Sequence, residues 1–313
     1  MKLDRNDRIL ITGITGMVGS AAYKKLKNNG FKNIFSPNRS ELNLLDKKKV
    51  DAYFEKHKPQ HVLMIAAKVG GIKANRDDPV SFLKDNIIIQ TNLFEACYKY
   101  KTKKNLFLGS SCVYPTECKQ PMKEEYLLSG KLEPTNEGYG LAKIAGLKLA
   151  KYYYEQYGML TISPMVCNIY GTNDHYDLDR AHVLSALVRR FVEAKKQNLS
   201  TITLWGTGQA KREFIHVEDV ADAILFLMDN YDSPEIINIG TGYDITIFEL
   251  AKLIAKNTDY KGKIVWDSTQ PDGMQRRCVD IEKLKSMQFQ HKIDLELGIK
   301  KTIQEYKNLT NNK

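Results

Sequence analysis

Tyr139 and Lys143 stand four residues apart in the stretch Thr135-Asn-Glu-Gly-Tyr-Gly-Leu-Ala-Lys-Ile-Ala-Gly-Leu-Lys-Leu-Ala-Lys151. On a helix that spacing puts both side chains on one face. A phenol titrates near ~10 and is a poor proton carrier at neutral pH. An ammonium one turn away favours the phenolate, so Lys143 is expected to lower the Tyr139 pKa and make a general acid or base of it. The spacing by itself also fits a solvated helix face. Its meaning comes from Ser110, in Leu108-Gly-Ser-Ser-Cys-Val-Tyr-Pro115, a hydroxyl at the end of an apolar strand. There it can hold a substrate carbonyl oxygen for Tyr139.

The elements that must position these residues read as alternating strands and helices. Arg8 to Thr12 is a short apolar strand that runs into Gly13-Ile-Thr-Gly16-Met-Val-Gly19-Ser20 and then a helix from Met17 to Asn29. Gly13 permits the tight turn, Gly16 lets backbone approach a pyrophosphate, and Gly19 allows close helix–strand packing. The amides at Met17 and Val18 and the helix dipole would face the phosphates of a dinucleotide. The second strand, Asn33 to Phe35, is followed by Ser36-Pro-Asn-Arg39-Ser40, without the acid that usually binds the ribose of NAD. Arg39 there favours NADPH; the plainer reading is an exposed loop cation. A third strand, His61 to Ile65, leads to Ala66-Ala-Lys-Val-Gly-Gly-Ile, small enough to lie against a cofactor.

A fourth strand, Asn105 to Leu108, delivers Ser110, and a fifth, Leu160 to Met165, follows the Tyr139 helix. The second half has short strands (201–204, 236–239, 263–265) between amphipathic helices. The expected fold is α/β: a Rossmann-type doubly wound parallel sheet, residues 1–165 with returning segments near 214–240, and a smaller C-terminal α/β substrate-binding lobe in 166–313.

Composition narrows the class. The chain of 313 residues carries a net charge of +10, with lysines scattered along it. Basic residues interleaved with aromatics, the footprint of nucleic-acid binding, are missing; the excess charge is a lysine-rich surface or a field for an anionic substrate. No apolar run reaches the roughly 18 residues of a membrane span. The opening residues have no apolar signal core. The five cysteines include no Cys-x-x-Cys pair and no His at zinc spacing, so no metal site and a reducing, cytoplasmic setting are expected.

The glycine turn, the Leu-Gly-Ser-Ser-Cys-Val-Tyr-Pro strand end and the Tyr139/Lys143 pair together resemble the extended short-chain dehydrogenase/reductases. Ala66-Ala-Lys-Val-Gly-Gly-Ile, Gln120-Pro-Met, Leu132-Glu-Pro-Thr-Asn-Glu, Ala142-Lys-Ile-Ala-Gly and Arg212-Glu-Phe-Ile-His-Val are similar to the GDP-L-fucose synthase family. The likeness runs from about Arg8 to about Asp280. It implies NADPH-dependent reduction of the C4 carbonyl of a GDP-4-keto-6-deoxy sugar after 3,5-epimerisation. It assigns Ser110, Tyr139 and Lys143 to reduction, and Cys112 and His182 to epimerisation as acid/base pair. Cys112 as base requires a neighbour that favours its thiolate. Leu108, Gly109, Val166, Asn168, Ile169 and His182 would lie at the cofactor. Ser111, Asn168, Arg190, Trp205, Arg212 and Asp272 would contact the GDP-sugar. The family also implies a homodimer through the helices near 79–100 and 137–158. Taken singly, Cys112 reads as an inert thiol, Trp205 as a core aromatic, Arg190 as an exposed cation and His182 as a structural histidine.

The chain departs from the family at Ile14-Thr15, where a basic residue is usual, at Gly138 and Gly140 beside Tyr139, in Val166-Cys-Asn-Ile-Tyr-Gly-Thr172, and in the loop 173–180. These changes leave room for another sugar, such as a GDP-4-keto-heptose, and for a C4 reductase without epimerase activity. A 4,6-dehydratase would carry Asp and Glu where Cys112 and Val113 stand. An NAD-dependent 4-epimerase suits neither Arg39 nor Cys112. A non-catalytic NADP-binding regulator would have no need of Ser110, Tyr139 and Lys143 together.

Overall fold

Four strands buried at nearly every position form the middle of the molecule: β1 (Arg8–Ile11), β3 (His61–Met64), β4 (Lys104–Phe107) and β6 (Thr161–Val166). Strands covered on both faces are largely apolar, as those of a parallel sheet with helices on each side are, and their polar members need partners. With β2 (Asn33–Phe35) and β10 (Ile236–Ile239) they run in the order β10-β6-β4-β3-β1-β2, and the two-residue β5 (Gly109–Ser110) pairs with β6. Every pairing in this sheet is parallel. The computed structural model describes residues 2–178, 181–270 and 272–311. Asp179 and Arg180 of the divergent loop, and Pro271 beside Asp272, lie outside the described residues.

After β2 the chain crosses to the other side of β1 to lay down β3. The glycine turn and the Ala66 loop therefore flank one crevice beyond the carboxyl ends of the strands, where ligands bind in such sheets. On one face α1 (Met17–Asn28) packs along α7 (Val217–Asn230). On the other, α4 (Pro79–Lys99) lies against α2 (Lys47–His57) and along α5 (Glu137–Tyr157), while α3 (Ile72–Asp77) precedes α4. Lys104 is wholly buried in β4. Its ammonium donates to the carbonyls of Leu227 and Met228 and pairs with Asp232 at 2.8 Å, so no charge is left unanswered.

A second apolar cluster forms around Tyr170, Leu187, Phe191, Ile254 and Ile303. It is built by α6 (Val183–Lys196), α8 (Ile247–Thr258) and α10 (Leu295–Asn311). A parallel pair, β8 (Thr201–Trp205) and β12 (Lys263–Asp267), completes it. Between the clusters, β9 (Lys211–His216) pairs with β7 (Asn168–Tyr170), β11 (Asp244–Thr246) and β13 (Arg276–Arg277), and α9 (Glu282–Ser286) follows β13. Thr246 and Glu249 bond reciprocally to each other's backbone, closing the first turn of α8.

The sequence reading passes over α2, β7, β9, β11 and β13. α2 buries only Val50 and Phe54, too few for a clear helical period. The short strands exist only through distant partners. Among the described residues no helix is long and apolar enough to cross a membrane.

Candidate active site

Ser110 ends β5, and its hydroxyl accepts a hydrogen bond from the Cys112 amide at 3.3 Å, starting a 3-10 turn over Ser111–Val113. Tyr139 lies in the first turn of α5, with its phenol beside the Ser110 hydroxyl. Burial pushes the phenol well above its usual pKa, the neighbouring Cys112 adds to this, and the Ser110 hydroxyl opposes it. One turn on, Lys143 is 3% exposed; its ammonium donates to the Leu108 carbonyl at 2.7 Å and lies 4.6 Å from the centre of the Phe107 ring. Burial pushes it down to about 7. The expected lowering of Tyr139 by Lys143 is thus overridden. Desolvation disfavours both charged forms, so near pH 7 the pair is a neutral phenol and a half-ionised amine.

The glycine turn fits a dinucleotide. Gly13 has φ +82, and a Cβ there would lie 3.0 Å from the Ala66 backbone. A Cβ on Gly19 would sit 2.1 Å from the Gly13 carbonyl, which no side chain survives. Thr12 Oγ1 accepts from the amides of Ile65 and Ala66, locking the two loops together. Gly16 caps α1 without a side chain, leaving the first-turn amides at Met17 and Val18 for an anion. Arg39 is exposed beyond β2, and Glu41, the nearest acid, is engaged with the Asn38 amide at 2.8 Å.

The substrate-side residues form a chain of contacts. Arg190 on α6 donates to the Thr203 carbonyl of β8 at 3.4 Å. Trp205 ends β8 and is 62% exposed, which excludes a core role. Thr207 donates its amide (2.7 Å) and hydroxyl (2.6 Å) to the Asp272 carboxylate, and the Asp272 carbonyl accepts from Arg212 at 3.4 Å. Asp272 therefore holds the loop behind Trp205 against Arg212. Burial raises its pKa, but the Thr207 donors outweigh that and hold it below the usual range. Burial, with Arg277 alongside, pushes Arg212 down to about 10. Arg277 pairs with Arg212 across β13 and β9, and its Nη1 donates to Cys112 Sγ at 3.3 Å. That contact joins the substrate side to Ser110, Tyr139 and Lys143.

Other expected residues fall differently. Ser111 is 3% exposed beneath the turn, so the more accessible hydroxyl of the two is that of Ser110. Leu108, Gly109 and Val166 are buried, and Leu108 acts through the carbonyl that Lys143 holds. Asn168 and Ile169 are half-buried in β7, and Asn168 Nδ2 donates to the Glu213 carbonyl at 2.7 Å. His182 is exposed at the N-terminus of α6, and among the described residues no contact joins it to Cys112. Asp174 near it accepts from the Ser185 hydroxyl and the His175 amide, and burial raises its pKa.

Sequence reasoning missed Arg277, 165 residues from Cys112. It quoted Asn136 without a role, although Asn136 Nδ2 donates to Cys112 Sγ at 3.4 Å. It also missed Glu213, wholly buried beneath the site, whose carboxylate accepts from the amides of Thr241, Gly242 and Val279 at 2.6–2.7 Å. Burial pushes it up to about 6 while those amides pull the other way. Glu213→Ala leaves the buried amides of Thr241 and Val279 and the part-buried amide of Gly242 without an acceptor, and a loss of roughly 3 kcal/mol is expected in urea unfolding. An unchanged midpoint would show that water replaces the carboxylate.

The sequence matches the NAD dependent epimerase/dehydratase family over residues 9–240. It is 46% identical to the putative GDP-L-fucose synthase 2 of Arabidopsis thaliana, over 97% of this chain and 93% of that protein. Among solved structures, the GDP-6-OMe-4-keto-L-xylo-heptose reductase from C. jejuni superposes with a TM-score of 0.91 at 32% identity, covering 99% of this chain and 100% of that one. The GDP-L-fucose synthetase from Naegleria fowleri bound to NADP gives 0.92 at 29% identity, over 99% and 96%. The parallel sheet, the glycine turn at its crevice and the Ser110–Tyr139–Lys143 grouping agree with this likeness along almost the whole chain, which belongs to the NAD dependent epimerase/dehydratase family and, within it, to the GDP-L-fucose synthases.

Proposed function

We propose that this chain reduces the C4 carbonyl of a GDP-4-keto-6-deoxy sugar with NADPH, after 3,5-epimerisation, the reaction that its likeness to the GDP-L-fucose synthases implies. The observation that carries the reading is the grouping of the Tyr139 phenol beside the Ser110 hydroxyl with Lys143 buried one turn below. NADPH supplies the hydride when bound. Ser110 and Tyr139 hold the carbonyl oxygen. The raised pKa keeps Tyr139 protonated at neutral pH, so it can give its proton to the forming alkoxide. Lys143 stabilises the charge left on the phenolate. For epimerisation the C4 carbonyl acidifies the C3 and C5 protons, Cys112 removes one, and His182 returns one on the other face. Arg190, Trp205 and Arg212 take the GDP portion, with Arg212 on the diphosphate.

Turnover of NADPH with a GDP-4-keto-6-deoxymannose tests the reading; no oxidation of NADPH would refute it. Because Arg39 is exposed where a 2′-phosphate would lie and Glu41 is engaged elsewhere, kcat/KM is expected to favour NADPH over NADH by ~10-fold. Arg39→Ala should remove most of that ratio. Equal values for the two cofactors in the wild type would sink the argument.

A second reading, C4 reduction alone on a related sugar such as a GDP-4-keto-heptose, draws on exposed His182, which among the described residues makes no contact with Cys112, and on the likeness to the C. jejuni reductase.

The five cysteines are unpaired, which suits the cytoplasm. α4 and α5 expose Val80, Ile87, Tyr98, Leu141, Tyr152 and Tyr157, an apolar surface suited to pairing with a second copy. Light scattering at micromolar concentration is expected to give the mass of a dimer, and a monomer would exclude that interface.

A further inference from the structure

Cys112 Sγ receives two donors, Arg277 Nη1 at 3.3 Å and Asn136 Nδ2 at 3.4 Å. Arg277 is 8% exposed, and its Nε is buried with no hydrogen-bond partner among the described residues. A guanidinium taken out of water this far is costly unless an anion answers it. It makes no ion pair among the described residues, and its strand neighbour, Arg212, is another cation. The backbone around it is pinned: the Cys278 amide donates to Gln120 Oε1 at 3.1 Å and the Val279 amide to Glu213 at 2.7 Å. Arg277 is thus held on the sulfur by its scaffold. The other groups facing Cys112 are neutral Tyr139 and Ser110 on one side and Arg212 on the other, with Glu133 acting on Arg212. Arg277 is the charged group in direct contact.

We propose that Arg277 is the positioning residue of the proton-abstracting site: with Asn136 it holds the negative charge that forms on Cys112 Sγ when the thiol gives up its proton. The inference rests on the epimerase reading of Cys112, yet its test needs no sugar. Iodoacetamide is added to the free enzyme at pH 7 and pH 9.5, and modification of Cys112 is followed by peptide mass spectrometry. Arg277→Gln and Arg277→Met both remove the charge, so either variant that folds answers the question. At pH 7 they are expected to alkylate about threefold more slowly than wild type, because the thiolate is the nucleophile and the variants lose the cation in contact with the sulfur where its charge forms. At pH 9.5, where ordinary thiols ionise unaided, the order should level or invert, since the less stabilised thiolate is the more reactive. Arg277→Lys should follow wild type at both pH values. A change of the same factor at both pH values would mean altered access only, and it would overturn the proposal, as would no change at either. If the epimerase reading alone is wrong, the crossover persists while the sugar exchanges no protons.

Discussion

Tyr139→Phe is expected to lower kcat/KM for NADPH-dependent reduction roughly a thousandfold while the fold stays intact, because it removes the one proton that the forming alkoxide can take. Lys143→Met tests the other half of the pair. Burial holds Lys143 at about 7, so its ammonium is present below that pH and lost above it. If that ammonium stabilises the developing charge, log kcat/KM, which reports the free enzyme, falls by one unit per pH unit above about 7. The Met variant loses this limb. Stability runs the other way. The folded chain binds fewer protons at Lys143 than the unfolded chain between about 7 and 10.5, so stability rises with pH across that window, and below it the buried charge opposes folding. Lys143→Met should therefore unfold at higher urea than wild type at pH 6. A flat pH profile in the wild type, or a less stable Met variant at pH 6, would refute the role given to burial.

Cys112→Ser is expected to abolish deuterium incorporation at C3 and C5, at least a hundredfold, when enzyme and a GDP-4-keto sugar are incubated in deuterated water before NADPH is added. A hydroxyl ionises far less readily than a thiol, so the serine cannot serve as base, while Ser110, Tyr139 and Lys143 still reduce C4. Product free of label from the wild type would establish a reductase without epimerase activity and leave Cys112 a wall of the pocket. Partial label, at one carbon, would point to His182, whose exposed position at the start of α6 is the least constrained part of the proton path. A displacement of ~1 Å there can cost ~100-fold in rate.

The sequence by itself determined the parallel sheet and the reductive pair. Apolar runs such as Ile9 to Ile11 and Val62 to Met64 have no alternative but a sheet covered on both faces, and the glycines at 13, 16 and 19 admit only a tight turn into a helix. Tyr139 and Lys143 were legible because both lie on α5, and helical geometry alone aligns residues four apart. Only the tertiary structure decided the rest. The neutral phenol and half-ionised amine come from burial, a property of the surrounding fold rather than of the spacing between the two residues. Ser111 and Ser110 are adjacent in sequence, yet one is buried and the other accessible because the 3-10 turn begins between them. Arg277 reaches Cys112 from a two-residue strand that exists only by pairing with β9, itself held by the buried Glu213. No local pattern announces a contact spanning that distance along the chain, because its energy lies in strand pairing and desolvation rather than in any periodicity of the residues themselves.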